Sequence, residues 1–175
     1  SNGNKIGRIP TTATSGADIT RYSIPSTDTR PYAIVAGPDG NLWFTESNGN
    51  NIGRITPAGV ITEFAIPTPS SSPAYIAVGP DGALWFAGYD SNVLGRIPTT
   101  ATSGADITEF TIPTSSSHPV GIAAGPDGTL WFTEQTANKI GRFVLPATAT
   151  ATMLGSSSNP SAFNQPVTFS AFVSG

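Results

Sequence analysis

The chain has 175 residues, a net charge of −3 and only 11% charged residues. That balance offers no basic stripe for nucleic acid, the absence of cysteine removes disulfide frameworks and thiolate metal sites, and no apolar run approaches the ~18 residues of a membrane span. What fills the chain instead is turn punctuation, with 19 Gly and 16 Pro among abundant Thr, Ser and Ala.

From the beginning, Lys5 to Ile9 and Ile19-Thr20-Arg21-Tyr22 read as two strands joined by a long hairpin. Ala33-Ile34-Val35-Ala36 is a short apolar run, suited to an inner strand buried on both faces. Gly37-Pro38-Asp39-Gly40 then makes a tight turn: Pro presets φ, Asp closes the turn through its side chain, and Gly takes the left-handed position. Leu42-Trp43-Phe44 opens a second strand, Asn48-Gly49 signals a hairpin, and Asn51 to Ile55 is the third strand. Pro57-Ala58-Gly59 turns the chain into the fourth, Val60 to Phe64. Ile66-Pro67-Thr68-Pro69 and the serines after it lead to the next unit.

The whole pattern recurs. Gly37 to Phe44 returns as Gly79 to Phe86 and as Gly125 to Phe132; Asn51 to Ile55 has relatives at Lys5, Val93 and Lys139. Gly37 to Gly79 spans 42 residues and Gly79 to Gly125 spans 46, the extra four lying in the hairpin between the third and fourth strands. Gly7 to Thr20 repeats letter for letter as Gly95 to Thr108, which indicates duplication of a two-unit block. A period of 40 to 50 residues with four short strands per unit is that of a β-propeller. The expectation is an all-β partial propeller over residues 1–146, with complete blades at about 32–66 and 74–113 and incomplete ones at 1–25 and 120–145. About three blades cannot close a ring, so the arc should be open and cut off at both ends, with an exposed edge at each. Leu, Trp and Phe of the second strands should form the core between blades.

From Pro146 the composition changes. Thr148, Thr150 and Thr152 alternate with alanines, Ser156 to Pro160 reads as a turn, and Val167, Phe169, Ala171 and Val173 share one face of a strand. Residues 147–175 resemble the truncated start of a bacterial immunoglobulin-like β-sandwich, a module of surface proteins, so the expected location is secreted or at the cell surface of a bacterium.

The phrases GPDGNLWFTE, NNIGRITPAGVITEF and IPTPSSSP, from about residue 4 to 145, resemble the repeat of the virginiamycin B lyase (streptogramin lyase) family. The resemblance implies closed rings of about seven blades. It also implies a magnesium-dependent elimination that opens a cyclic streptogramin B ester, in which a base removes a proton beside a carbonyl and an electrophile holds the developing charge. In the family that chemistry sits where the linker enters the inner strand, as Pro-His-(Ala/Gly)-Ile in two blades with a Glu before one proline. Here those places read Pro31-Tyr32-Ala33-Ile34, Pro73-Ala74-Tyr75-Ile76 and Pro119-Val120-Gly121-Ile122. No histidine follows a proline, and His118, the only histidine, stands where the Glu would be.

No catalytic residue is therefore assigned, no metal ligand is assigned, and no cofactor is expected unless the full-length protein is a magnesium-using lyase. Arg30, Tyr32, Tyr75 and Tyr89 break the repeat within one propeller face, where a binding surface would be written, and His118 joins them as a linker residue. Glu46 and Glu134 end their second strands, with Ala87 read in their place in the middle unit. They are expected at a polar rim, or as solvated strand ends, or paired with the recurring Gly-Arg arginines of neighbouring motifs. The expected partner is a small-molecule, glycan or protein ligand.

Overall fold

The computed structural model describes residues 3–146 and the backbone of residues 151–156 and 169–174. It divides into two compact units, residues 1–144 and 145–175. The first unit is all-β and open, as the repeat predicts. Strands β1 (Lys5–Arg8) and β2 (Thr20–Ser23) form a two-stranded remnant. A four-stranded antiparallel blade follows, made of β3 (Pro31–Ala36), β4 (Leu42–Glu46), β5 (Asn51–Ile55) and β6 (Ile61–Ala65). The next has the same order in β7 (Pro73–Val78), β8 (Leu84–Gly88), β9 (Val93–Ile97) and β10 (Thr108–Thr111). The last has three strands, β11 (Pro119–Ala124), β12 (Leu130–Glu134) and β13 (Lys139–Phe143).

Alternation assigns the two faces of each blade. Phe44 and Glu46 point back toward the remnant, Trp43 and Thr45 forward to the next blade. Phe44 joins Ile6, Ile24 and Ile55 in one cluster, while Trp43, Ile52 and Phe64 meet Ile76, Leu84, Phe86 and Ile97 in another. Trp43, Phe44, Trp85 and Phe86 are wholly buried, so the second-strand aromatics are the inter-blade core. Trp131 occupies the same place in the last blade and is 41% exposed, because among the described residues no blade follows it. Leu42 is exposed for the mirror reason: the remnant before it has no inner strands to cover it.

Turn chemistry is as read at Gly40, Gly82 and Gly128, which take φ of 77°, 74° and 74°. Asp39, Asp81 and Asp127 cap those turns and also accept from the indole nitrogens of Trp43, Trp85 and Trp131. Thus each turn is tied to its own core tryptophan. At Asn48-Gly49 the reading needs correction. The left-handed residue is Asn50 (φ 54°), matched by Asn92 (57°) and Asn138 (53°). Gly49 is needed for a close approach, since a Cβ there would lie 2.9 Å from Glu46 Oε2 and 3.0 Å from Thr29.

The four extra residues of the long hairpins form a 3-10 turn, Gly16–Asp18 and Gly104–Asp106, each closed by a capping box between serine and aspartate. Gly104 lies so close to the Ala65 carbonyl of β6 that a Cβ would collide with it. The insertion thus braces one blade against its predecessor.

The first inner strand is not buried on both faces. In β3 exposure alternates, with Tyr32 and Ile34 about half exposed, because no inner strand precedes it among the described residues. By contrast β7, with a blade on either side, is largely buried. In the second unit β14 (Ala151–Ser156) pairs antiparallel with β15 (Phe169–Ser174). Of the turn expected from Ser156 to Pro160, Ser156 is the last residue of β14; its remainder, Val167 and all side-chain contacts expected of an immunoglobulin-like start lie outside the described residues.

Candidate functional site

Each inner strand enters its blade through a register shift. Pro31 pairs with Glu46 but Ile34 with Phe44, and the same slip recurs at Pro73/Ile76 and Pro119/Ile122. One extra residue therefore bulges at Tyr32-Ala33, Ala74-Tyr75 and Val120-Gly121, and such bulges re-aim side chains. Buried Thr45 stabilises the first bulge: its hydroxyl accepts from Ala33 N at 3.1 Å and donates to the Ala74 carbonyl of the next blade at 2.7 Å. Thr133 accepts likewise from Gly121 N at 2.8 Å.

The linkers before the bulges are held by asparagines, two of which, Asn50 and Asn92, are the left-handed ones. Asn92 Nδ2 donates to the Ile112 and Thr114 carbonyls at 3.0 Å each, while its Oδ1 accepts from Ser117 N and Oγ at 2.9 and 2.7 Å. Asn50 and Asn4 make the corresponding bonds to the linkers at residues 66–71 and 24–29. This fixes Arg30, Ser72 and His118, the residues before the prolines, at φ of 51°, 50° and 49°. Nothing in the sequence reading marked these asparagines, although their constant place after the second strand was available as a signal.

Between these linkers and the hairpins after β4, β8 and β12 lies an open cleft of about 380 Å³ that runs over three blades. Arg30, Tyr32, Tyr89, Asp90 and Gln135 line it, with Ser47, Asn48 and Ser72. Tyr75 packs edge to face on Tyr32, the ring centres 5.6 Å apart. His118 lies against Tyr89 at 4.7 Å, and its Nδ1 is 2.8 Å from the Thr136 hydroxyl. The structure thus gathers five expected residues, Arg30, Tyr32, Tyr75, Tyr89 and His118, in and beside one cleft. Ser72 Oγ donates to the Asp90 carboxylate across it.

Glu46 and Glu134 are not at the rim. Glu46 is fully buried and Glu134 nearly so, because they share the phenylalanine face that looks back at the preceding blade. Nor do they meet the arginines, which lie on the tryptophan face. Arg54 stacks over Trp43 and Phe64, Arg96 pairs with Asp81 at 2.6 Å, and Arg142 with Asp127 at 3.2 Å. Burial opposes ionisation of Asp81, but bonds from Trp85, Arg96 and the Ala83 amide outweigh it and hold its carboxyl below the usual range. The register also corrects the middle blade: Gly88 takes the glutamate position opposite Pro73, and Ala87 that of Thr45. The vacated space holds the Ser71–Ser91 hydroxyl pair, 2.6 Å apart, and Val93. Burial pushes Glu46 up to about 7, with the neighbouring Glu63 adding to the rise and the Asn51 amide opposing it.

The described residues offer a magnesium ion no set of carboxylate and imidazole donors. Among the described residues no three His, Asp or Glu side chains converge, and the cleft's Asp90 and His118 are engaged with Ser72 and Thr136. No helix among the described residues is long and apolar enough to cross a membrane.

Stacked blades, recurrent hairpins and a variable linker face define a β-propeller repeat protein with a concave rim cleft. More narrowly, residues 1–163 match the model of the virginiamycin B lyase family, and the chain belongs to that family. Virginiamycin B lyase from Staphylococcus aureus is 44% identical in sequence and superposes with a TM-score of 0.68 over 83% of this chain and 50% of that one. A catalytically inactive variant of the same lyase, crystallised with quinupristin, gives 44% and 0.69 over the same shares. Virginiamycin B lyase from Bacillus licheniformis is 46% identical over 41 residues, 23% of this chain and 14% of that protein. The chain spans about half the length of the lyase structures it matches.

Proposed function

We propose that this chain is an extracellular binding module of the virginiamycin B lyase family, whose linker face holds a small-molecule, glycan or protein ligand without a complete elimination site of its own. One observation carries this reading: the cleft is lined where the repeats differ. The residue before the linker proline is Arg30, Ser72 or His118, and the one after it Tyr32, Ala74 or Val120. The two residues after the second strand are Ser47-Asn48, Tyr89-Asp90 or Gln135-Thr136. Elsewhere the main departures are the four-residue difference in the hairpin before the fourth strand and Ala87-Gly88 in place of Thr45-Glu46, while the hairpin Gly7–Thr20 recurs unchanged as Gly95–Thr108. Repetition serves packing, which every blade needs; divergence concentrated on one face serves recognition.

The alternative is that the whole protein is a magnesium-dependent streptogramin B lyase, a reading consistent with family membership and with 44% identity to half of a lyase's length. In this chain no histidine follows a linker proline to act as base. The test is to incubate the complete parent protein with a streptogramin B antibiotic and magnesium, and to follow ring opening by mass spectrometry. An intact antibiotic supports the binding module; a ring-opened product of unchanged mass establishes elimination.

A further inference from the structure

We infer that the cleft over the three blades takes an uncharged oligosaccharide. The inference rests on reading the linker face as a binding surface and names the ligand class.

Charge comes first. The lining carries one cation, Arg30, and one anion, Asp90, so a ligand with net charge of either sign would meet one attractive and one repulsive group. The remaining polar lining is of one kind. Ser47, Asn48, Ser72 and Gln135 each both donate and accept hydrogen bonds, as do the phenol groups of Tyr32 and Tyr89. The ligand group that answers such a lining at every position, without leaving a donor facing a donor, is the hydroxyl, which does both at one atom. A peptide backbone offers its donors and acceptors at fixed, separate places and is best met by a free strand edge. Each inner strand ends its sheet and so keeps one free edge, but it contributes only residues from its first two positions to this cleft.

Shape agrees. Apolar contact comes from Tyr32, Tyr89, Pro73, Ala74 and Val120, which suits the C–H face of a pyranose more than a bulky aliphatic group. Both rings are held in place before any ligand arrives, Tyr32 against Tyr75 and Tyr89 against His118, which Thr136 anchors in turn. Preformed aromatic walls lower the ordering cost of binding. The cleft is open and extends over three blades, as a chain of sugars requires and a compact metabolite does not.

The experiment is an amide NMR titration of the full chain with cellotriose, maltotriose and chitotriose separately, up to about 10 mM, where sites weaker than millimolar still fill. The expected result is saturable shifts of the non-proline amides within residues 30–32, 47–48, 72–75, 89–90 and 135 with at least one sugar. Tyr89→Ala and, as a variant remote from the core, Gln135→Ala each weaken that binding about tenfold or more. Val60→Ala, on an exposed hairpin outside the cleft lining, leaves it unchanged. Absence of cleft shifts with all three sugars, or shifts insensitive to both cleft variants, overturns the inference. A capped neutral tripeptide that shifts the cleft when the sugars do not overturns the sugar class while the binding surface stands. Ring opening by the parent protein overturns the non-catalytic reading without touching this titration.

Discussion

The Glu63 carboxylate accepts from both the backbone nitrogen and the hydroxyl of Ser26, at 3.2 and 3.1 Å, and so clasps the linker that joins the remnant to the first complete blade. Glu109 does the same to Thr68 one blade later, at 3.2 and 2.8 Å. The difference between the two is their neighbour. Beside Glu63 stands Glu46, buried so that the two carboxyl groups share a side-chain hydrogen bond when Glu46 holds a proton; beside Glu109 the glutamate position is Gly88.

From this follows a dependence on pH. Glu46 has a folded value of about 7 against an ordinary 4.5, so the folded chain holds the proton more tightly than the unfolded one. The stability this gives is intact below about pH 4.5 and is lost as pH rises through 7, with a slope of at most ~1.4 kcal/mol per pH unit. Glu46→Gln is expected to flatten that slope and to raise the melting temperature at pH 8 relative to the unaltered chain. Thermal melts of both proteins from pH 4 to 9 check it; parallel profiles refute it.

Two glycines in identical fourteen-residue stretches should behave differently. Gly104→Ala drives a methyl into the Ala65 carbonyl and should cost about 1–3 kcal/mol. Gly16→Ala meets nothing within 4 Å and should be neutral or slightly stabilising, within about 0.5 kcal/mol. Urea unfolding of the two variants decides the matter, since local sequence cannot distinguish them.

For the linker clasp, Asn92→Gly preserves the left-handed backbone but removes four hydrogen bonds, an expected loss of about 1–3 kcal/mol. Asn92→Ala should lose about 1 kcal/mol more, because alanine resists positive φ. Chemical denaturation gives both numbers, and equal losses would remove the backbone part of the explanation.

Trp85→Ala should be the most damaging of these changes, costing about 3–5 kcal/mol. Its indole is fully buried, stacked on Phe110 at 5.4 Å and touched by Phe143 at 5.5 Å. Trp131→Ala, at the same repeat position but 41% exposed, should cost less than about 1 kcal/mol. Comparable losses in denaturant would mean that the last blade is covered in solution.

Strand order, turn positions and the buried aromatics were legible because they follow from local signals, namely alternation, Gly-Pro-Asp-Gly and a period repeated three times. The places of Arg30, Tyr32, Tyr75 and Tyr89 in or beside the cleft were legible as departures from that period, and that of His118 as a linker position. The burial of Glu46 and Glu134 was not, since nothing in LWFTE says which face meets a neighbouring blade; only the stacked register does. The position of the left-handed residue one step beyond Asn48-Gly49 was hidden by a stronger dipeptide signal. The bulge at Tyr32 leaves no trace in a hydropathy pattern, because it appears only when two strands are paired.

That bulge also governs what the molecule can become. Where the register slips, Tyr32, Tyr75 and their counterparts stand outside the regular cross-strand ladder, so exchanging them leaves the blade's pairing intact. Lineages can therefore rewrite the cleft one residue at a time while folding stays under separate control. Duplicating a blade multiplies the places at which such rewriting occurs.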